Sequence, residues 1–161
     1  MSPDPTFMQR AIELSELAYR SGKGLPIGCV IARDGQLLGE GHNEIFARRN
    51  PTAHAEMVAI ENACARADSL DLAGCALYTT LEPCPMCLAA VYWANIRVVY
   101  FASSSHDARE AGFDDRLIAS ELAAAPEQRR IPSIQVPSED AARVLREWKA
   151  LGVNAAQPSG T

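Results

Sequence analysis

A three-layer α/β/α sandwich around a mixed five-stranded sheet is the fold class this sequence predicts, on three observations. Short apolar runs of strand length alternate with longer stretches of helical periodicity. One pair of runs is joined by Asp34-Gly35, a two-residue hairpin signal. After that hairpin, helices and strands take turns, which places helices on both faces of a mixed sheet.

In order along the chain, Phe7 to Arg20 carries Phe7, Ala11, Leu14 and Ala18 at helical spacing, and Ser21-Gly22-Lys23-Gly24 ends that helix. Ile27 to Arg33 is an apolar, partly β-branched strand, and Gln36 to Gly41 returns beside it. A polar loop closes on Asn50-Pro51, and Thr52 is placed to cap a helix running to about Arg66. Cys75 to Thr80 reads as a buried strand. Pro85 suits a first helical turn, so Cys84 is expected to cap a helix that continues to Trp93. Arg97 to Ala102 is a fourth strand, and a loop or short helix follows from Asp107 to Leu122. A fifth strand is expected near Ile134 to Val136, then an amphipathic helix from Ser138 to Leu151. With no repeat and no linker, residues 1–161 are expected to form one domain, its polar tail 153–161 frayed unless docked on a partner.

Composition narrows the class. Hydrophobic residues make up 48% and charged residues 22%, as in a water-soluble globular chain. No apolar run approaches the ~20 residues that span a bilayer, and no charged-then-apolar leader opens the chain, so a cytoplasmic location is expected. Five cysteines, two of them in a C-x-x-C, favour reduced thiols or a metal over a disulfide framework. Cys29, Cys64 and Cys75 read as small core residues. A net charge of −5 argues against a nucleic-acid partner, and Arg48-Arg49 and Arg129-Arg130 read as solvated loop charges.

Two motifs carry the chemistry: Thr52-Ala53-His54-Ala55-Glu56 and Glu82-Pro83-Cys84-Pro85-Met86-Cys87. His54, Cys84 and Cys87 supply one imidazole and two thiols with metal-ligand spacing, and three protein ligands leave a fourth position open, the catalytic pattern for zinc. Cys84 and Cys87 lie three apart on one helix face, at an N-terminus that favours thiolates. Bound there, zinc depresses the pKa of water towards ~7, and Glu56 is expected to take the proton of that water. Each motif alone has an ordinary reading: a helix histidine for His54, a redox pair or half a zinc ribbon for Cys84 and Cys87. A structural zinc would need a fourth ligand from His42, His106 or Cys75, and it gives Glu56 no purpose.

An H-x-E with a P-C-x-x-C is the signature of zinc nucleobase deaminases, and over nearly its whole length the chain resembles the cytidine deaminase superfamily. The resemblance implies that fold, one zinc per chain and a small nucleobase substrate. Gly41-His42-Asn43 is similar to the segment holding the family's base-contacting asparagine, which implies that Asn43 binds the ring, with Ala55 beside it. Glu110-Ala111-Gly112-Phe113-Asp114-Asp115 and Val91-Tyr92-Trp93-Ala94 resemble the bacterial guanine deaminases more than the tRNA-adenosine deaminases. By that resemblance Asp115 is a second acid near the exocyclic amine, Asp114 lies at the substrate, and Trp93 walls the pocket.

A homodimer, with a C-terminus that could be swapped between subunits, is implied by the same resemblance. Two departures bear on the substrate. Ile27, in Pro26-Ile27-Gly28, stands where guanine deaminases tend to carry Phe, and no Tyr follows Tyr100 to reach a partner's site. Each lost ring forfeits stacking of roughly 1–3 kcal/mol. The expectation is therefore deamination of guanine to xanthine, with cytosine, isocytosine or an aminotriazine as the alternative ring. A tRNA-adenosine deaminase and a non-catalytic zinc domain are the remaining readings.

Overall fold

Asp4 caps the first helix, α1 (Pro5–Arg20), by accepting the Thr6 backbone N–H at 2.9 Å. Pro5 fits the first turn because an N–H there would have no helical partner. Pro5 and Thr6 are exposed, so the apolar spacing alone starts the helix two residues late. The computed structural model describes residues 2–152, which form two compact units, 2–115 and 116–152.

In the first unit, β1 (Gly28–Arg33) and β2 (Gln36–His42) form the expected hairpin. Asp34 and Gly35 have φ of 52° and 75°, the positive pair that a type I′ turn requires. β3 (Ala76–Leu81) runs antiparallel to β1, and β4 (Val98–Ser103) runs parallel to β3, so the sheet is mixed with the order β2-β1-β3-β4.

Side-chain alternation splits the sheet into two faces. Val30, Ala32, Ala76 and Tyr78 pack with Ala11 and Leu14 of α1. Cys29, Ile31 and Leu77 pack on the other face with Ala55, Ala59 and Ala63 of α2 (Ala55–Ala67) and Val91 of α3 (Pro85–Trp93). Three layers result, as expected. A Cβ on Gly41 would lie 2.7 Å from the Ala55 carbonyl oxygen, so its absence lets the start of α2 settle directly onto β2. Cys29 and Cys75 are core residues and Cys64 packs against them, all as free thiols.

Two details differ from expectation. Among the described residues the sheet has four strands rather than five: Ile134 to Val136 is not a strand, and Ile134 and Val136 are exposed. Pro132 and Pro137 bracket that short alternation and remove backbone donors on both sides. The second difference is the start of α2, capped at His54 rather than Thr52. Thr52 is held back because its N–H and hydroxyl both donate to Asn50 Oδ1, at 2.9 and 2.7 Å, in a local turn.

α4 (Ser105–Glu110) closes the first unit, with Ser104 and Asp107 in a reciprocal capping box. The second unit holds α5 (Arg116–Ala123), a 3₁₀ turn at Pro126–Gln128, and α6 (Glu139–Ala150) capped by Ser138. The tail 153–161, expected to fray or dock on a partner, lies outside the described residues. Among the described residues no helix is long and apolar enough to cross a membrane.

Candidate active site

His54 and Cys84 occupy the same position on two different helices, the cap residue immediately before α2 and before α3, each with extended backbone. Neither side chain caps its own helix. Both are therefore free to turn towards a common point, where Cys87 joins them from the first turn of α3. His54 Nδ1 lies 3.6 Å from Cys84 Sγ and 3.5 Å from Cys87 Sγ. A tetrahedral zinc with ordinary Zn–N and Zn–S bonds separates such atoms by about 3.6 Å. The donor set fits the ion in kind and in spacing.

The electrostatics show three groups crowded around one point. The hydrogen bond with Cys87, helped by the one with His54, holds the Cys84 thiol down to about 4, while the Cys84 sulfur and burial push Cys87 up. The hydrogen bond to Cys84 raises the His54 imidazole. A cation is what would let both sulfurs stay ionised together. Among the described residues no fourth His, Cys, Asp or Glu joins these three. His42 instead turns its Nδ1 to the Asn43 carbonyl at 3.1 Å, and Cys75 packs in the core.

Glu56, in the first turn of α2, is 3% exposed, and burial pushes its carboxyl above the usual range. Its Oε2 has no hydrogen-bond partner among the described residues. Because His54 precedes the helix with ψ 157°, the two-residue spacing does not throw the side chains to opposite faces. A cavity of about 250 Å³ brings His54, Glu56 and Cys84 together with Ile27, Asp114 and Asp115.

Asn43 and Ala55 do not line that cavity, although both are fully buried. Asn43 reaches it indirectly: its Oδ1 accepts the N–H of Leu25, which does line it. Trp93 is not brought to the cavity, contrary to its expected place in the wall. Cys87, Val91 and Ala94 form the buried face of this segment, and Trp93, about 200° around from Val91, is 58% exposed. The sequence reading missed Leu25, Glu82 and Ser105 as cavity residues. Glu82 alone carried a signal, its place beside the first cysteine.

Residues 1–103 match the family model for the cytidine and deoxycytidylate deaminase zinc-binding region. The chain belongs to the cytidine and deoxycytidylate deaminase family. As such it is a hydrolytic aminohydrolase with zinc as its metal. This deaminase is 42% identical to guanine deaminase from Bacillus subtilis (strain 168) over 144 residues, 89% of the chain and 92% of the relative. The crystal structure of guanine deaminase from Bacillus subtilis superposes with a TM-score of 0.89 at 39% identity, covering 98% of this chain and all of that one. A tRNA-specific adenosine deaminase from Aquifex aeolicus (strain VF5) is 39% identical over 97 residues, 60% of this chain and 64% of that protein.

Proposed function

We propose that this deaminase converts free guanine and water to xanthine and ammonia, with one zinc per chain held by His54, Cys84 and Cys87. The supporting observation is the cavity, which places Asp114 and Asp115 with His54, Glu56 and Cys84 in about 250 Å³. Pockets for drug-sized ligands measure roughly 300–1,000 Å³, so this smaller space suits one free base. The long match to a guanine deaminase agrees with it, and with reading both units as one deaminase domain.

Zinc at this site supplies Lewis acidity that brings the pKa of water near ~7. Glu56 Oε2, buried and unpartnered, takes the proton of the attacking water and delivers it to a ring nitrogen; it then takes the second proton from the hydroxyl now on the ring carbon and passes it to the amine, which leaves as ammonia as the carbonyl forms. A carboxyl raised by burial is suited to both giving and taking that proton. Asp115 holds the exocyclic amine as an acceptor, with Asp114 beside it. Asn43 Nδ2, a buried unpartnered donor, offers the ring a hydrogen bond from the Leu25 side. Acids at Glu56, Asp114 and Asp115 suit a substrate edge rich in N–H donors, as guanine presents.

Ile27 favours a second reading. It gives the cavity an aliphatic wall, so a smaller aminopyrimidine or aminotriazine would lose less there than a purine that wants stacking. Ammonia release from a panel of guanine, cytosine, isocytosine, an aminotriazine and adenosine-34 tRNA tests both. Guanine as the best substrate is expected; turnover of tRNA alone would overturn the free-base reading.

A homodimer, with the C-terminus exchanged between subunits, belongs to this proposal. Val144, Leu145, Trp148 and Leu151 form an apolar stripe along α6, each at least 46% exposed. An exposed apolar stripe of this length along a helix is unusual in a monomer. Placement in the cytoplasm goes with five free cysteines.

A further inference from the structure

Glu82 is the acid of the cysteine motif that the reaction scheme leaves without a task, and its bonds lead to α4. Its Oε2 accepts the Ser105 backbone N–H at 2.8 Å, while its own N–H donates to the Ser103 carbonyl at 2.8 Å. These two bonds clasp the junction between β4 and α4 to the residue that opens the metal loop, two positions before Cys84. Downstream, α4 leads to Phe113, whose N–H closes on the Ala108 carbonyl at 2.8 Å, and then to Asp114 and Asp115. Ser105, Ala108, Phe113, Asp114 and Asp115 make one wall of the cavity; His54, Glu56 and Cys84 belong to another.

Of the six residues of α4 only Ala108 is buried, and the capping box joins Ser104 to Asp107 within the helix itself. We infer that Glu82 is a positioning residue, a strut that sets the distance between the α4 wall and the metal loop. Substrate binding depends on it and metal binding does not. The inference rests on the deaminase reading of this cavity.

Three variants of the zinc-loaded enzyme test it. Glu82→Ala removes the acceptor, and Glu82→Gln keeps an oxygen that can accept the same N–H. Ser105→Pro removes the donor instead; proline suits a first helical position, and Ser104 before it is already extended with ψ 167°. Glu82→Ala and Ser105→Pro should each retain one zinc per chain and raise KM for guanine about tenfold, with kcat within about threefold. The double variant should be no worse than either single one, because both cut the same bond. Glu82→Gln should recover most of the loss. Amides of residues 105–113 should exchange with solvent faster in Glu82→Ala, measured without substrate.

Loss of zinc from Glu82→Ala, a Gln variant as defective as Ala, or unchanged exchange would each overturn the strut. Should the wild type ignore guanine while exchange in the variant accelerates, the substrate reading fails and the strut stands. Should guanine turn over normally and Glu82→Ala alter neither KM nor exchange, the strut fails alone.

Discussion

Asn43 and Leu25 are joined in one direction only: the Leu25 N–H donates to Asn43 Oδ1 at 3.1 Å. Ile45 adds a second N–H at 3.4 Å, so the oxygen is committed and Nδ2 is the end left over. Gly24 enforces the arrangement, since a Cβ there would lie 2.1 Å from the Asn43 carbonyl and 2.4 Å from Oδ1. Asn43→Ala should lower kcat/KM on the order of ten- to a hundredfold, by deleting a donor to the ring. It should also cost roughly 1–3 kcal/mol of stability, because the Leu25 N–H loses its acceptor. Steady-state kinetics and denaturant unfolding measure the two effects separately. A variant that is less stable but kinetically normal would reduce Asn43 to a loop support.

Glu56 is separable from the metal in the same way. Its Oε2 is buried without a partner, and it is not one of the three convergent donors. Glu56→Gln should keep one zinc per chain by elemental analysis and lose roughly 10²–10⁴ in kcat. Full zinc with full turnover would remove it as the proton carrier.

What the sequence disclosed well was chemistry whose cause is local. Asp34-Gly35 demanded its turn, Pro85 its helix start, and the spacing of Cys84 and Cys87 its shared face. It misled where a neighbour several residues away decided. Asn50 took the Thr52 side chain that would have capped α2, and prolines at 132 and 137 dissolved the strand suggested by Ile134 and Val136. Trp93 was drawn into the pocket by likeness to other sequences, yet its angular position on α3 turns it outward. The α4 wall was half legible: Asp114 and Asp115 could be named, but the bond from Glu82 to Ser105 spans 23 residues and leaves no periodic trace.

Metal removal makes a prediction about thiols. The hydrogen bonds to Cys84 hold it down to about 4, so with zinc chelated it should be a thiolate at every pH from 5 to 8. Burial raises Cys64, whose thiolate fraction should instead climb steeply across that range. Iodoacetamide labelling after chelation, mapped by mass spectrometry, should modify Cys84 at a nearly constant rate and Cys64 ever faster as pH rises. Before chelation Cys84 should be protected. Equal labelling of Cys84 with and without chelator would mean that it does not hold the metal.

Acid stability should draw on the clamp between α1 and β2. Arg10 Nε and one terminal nitrogen donate to the two Glu40 carboxylate oxygens at 2.9 and 2.8 Å, and that hydrogen bonding holds the Glu40 carboxyl below its usual value of 4.5. A carboxyl lowered by folding stabilises the native chain fully above its unfolded value and loses that contribution as pH falls through the folded one. The side chains are 43% and 35% exposed, so screening limits the pair to about 0.2–1 kcal/mol. Glu40→Gln should therefore lower stability near pH 7 by that amount and converge with the wild type towards pH 3. Denaturant unfolding of both proteins between pH 3 and 7 measures it. A gap that persists unchanged at pH 3 would assign the loss to packing of the side chain and not to its charge.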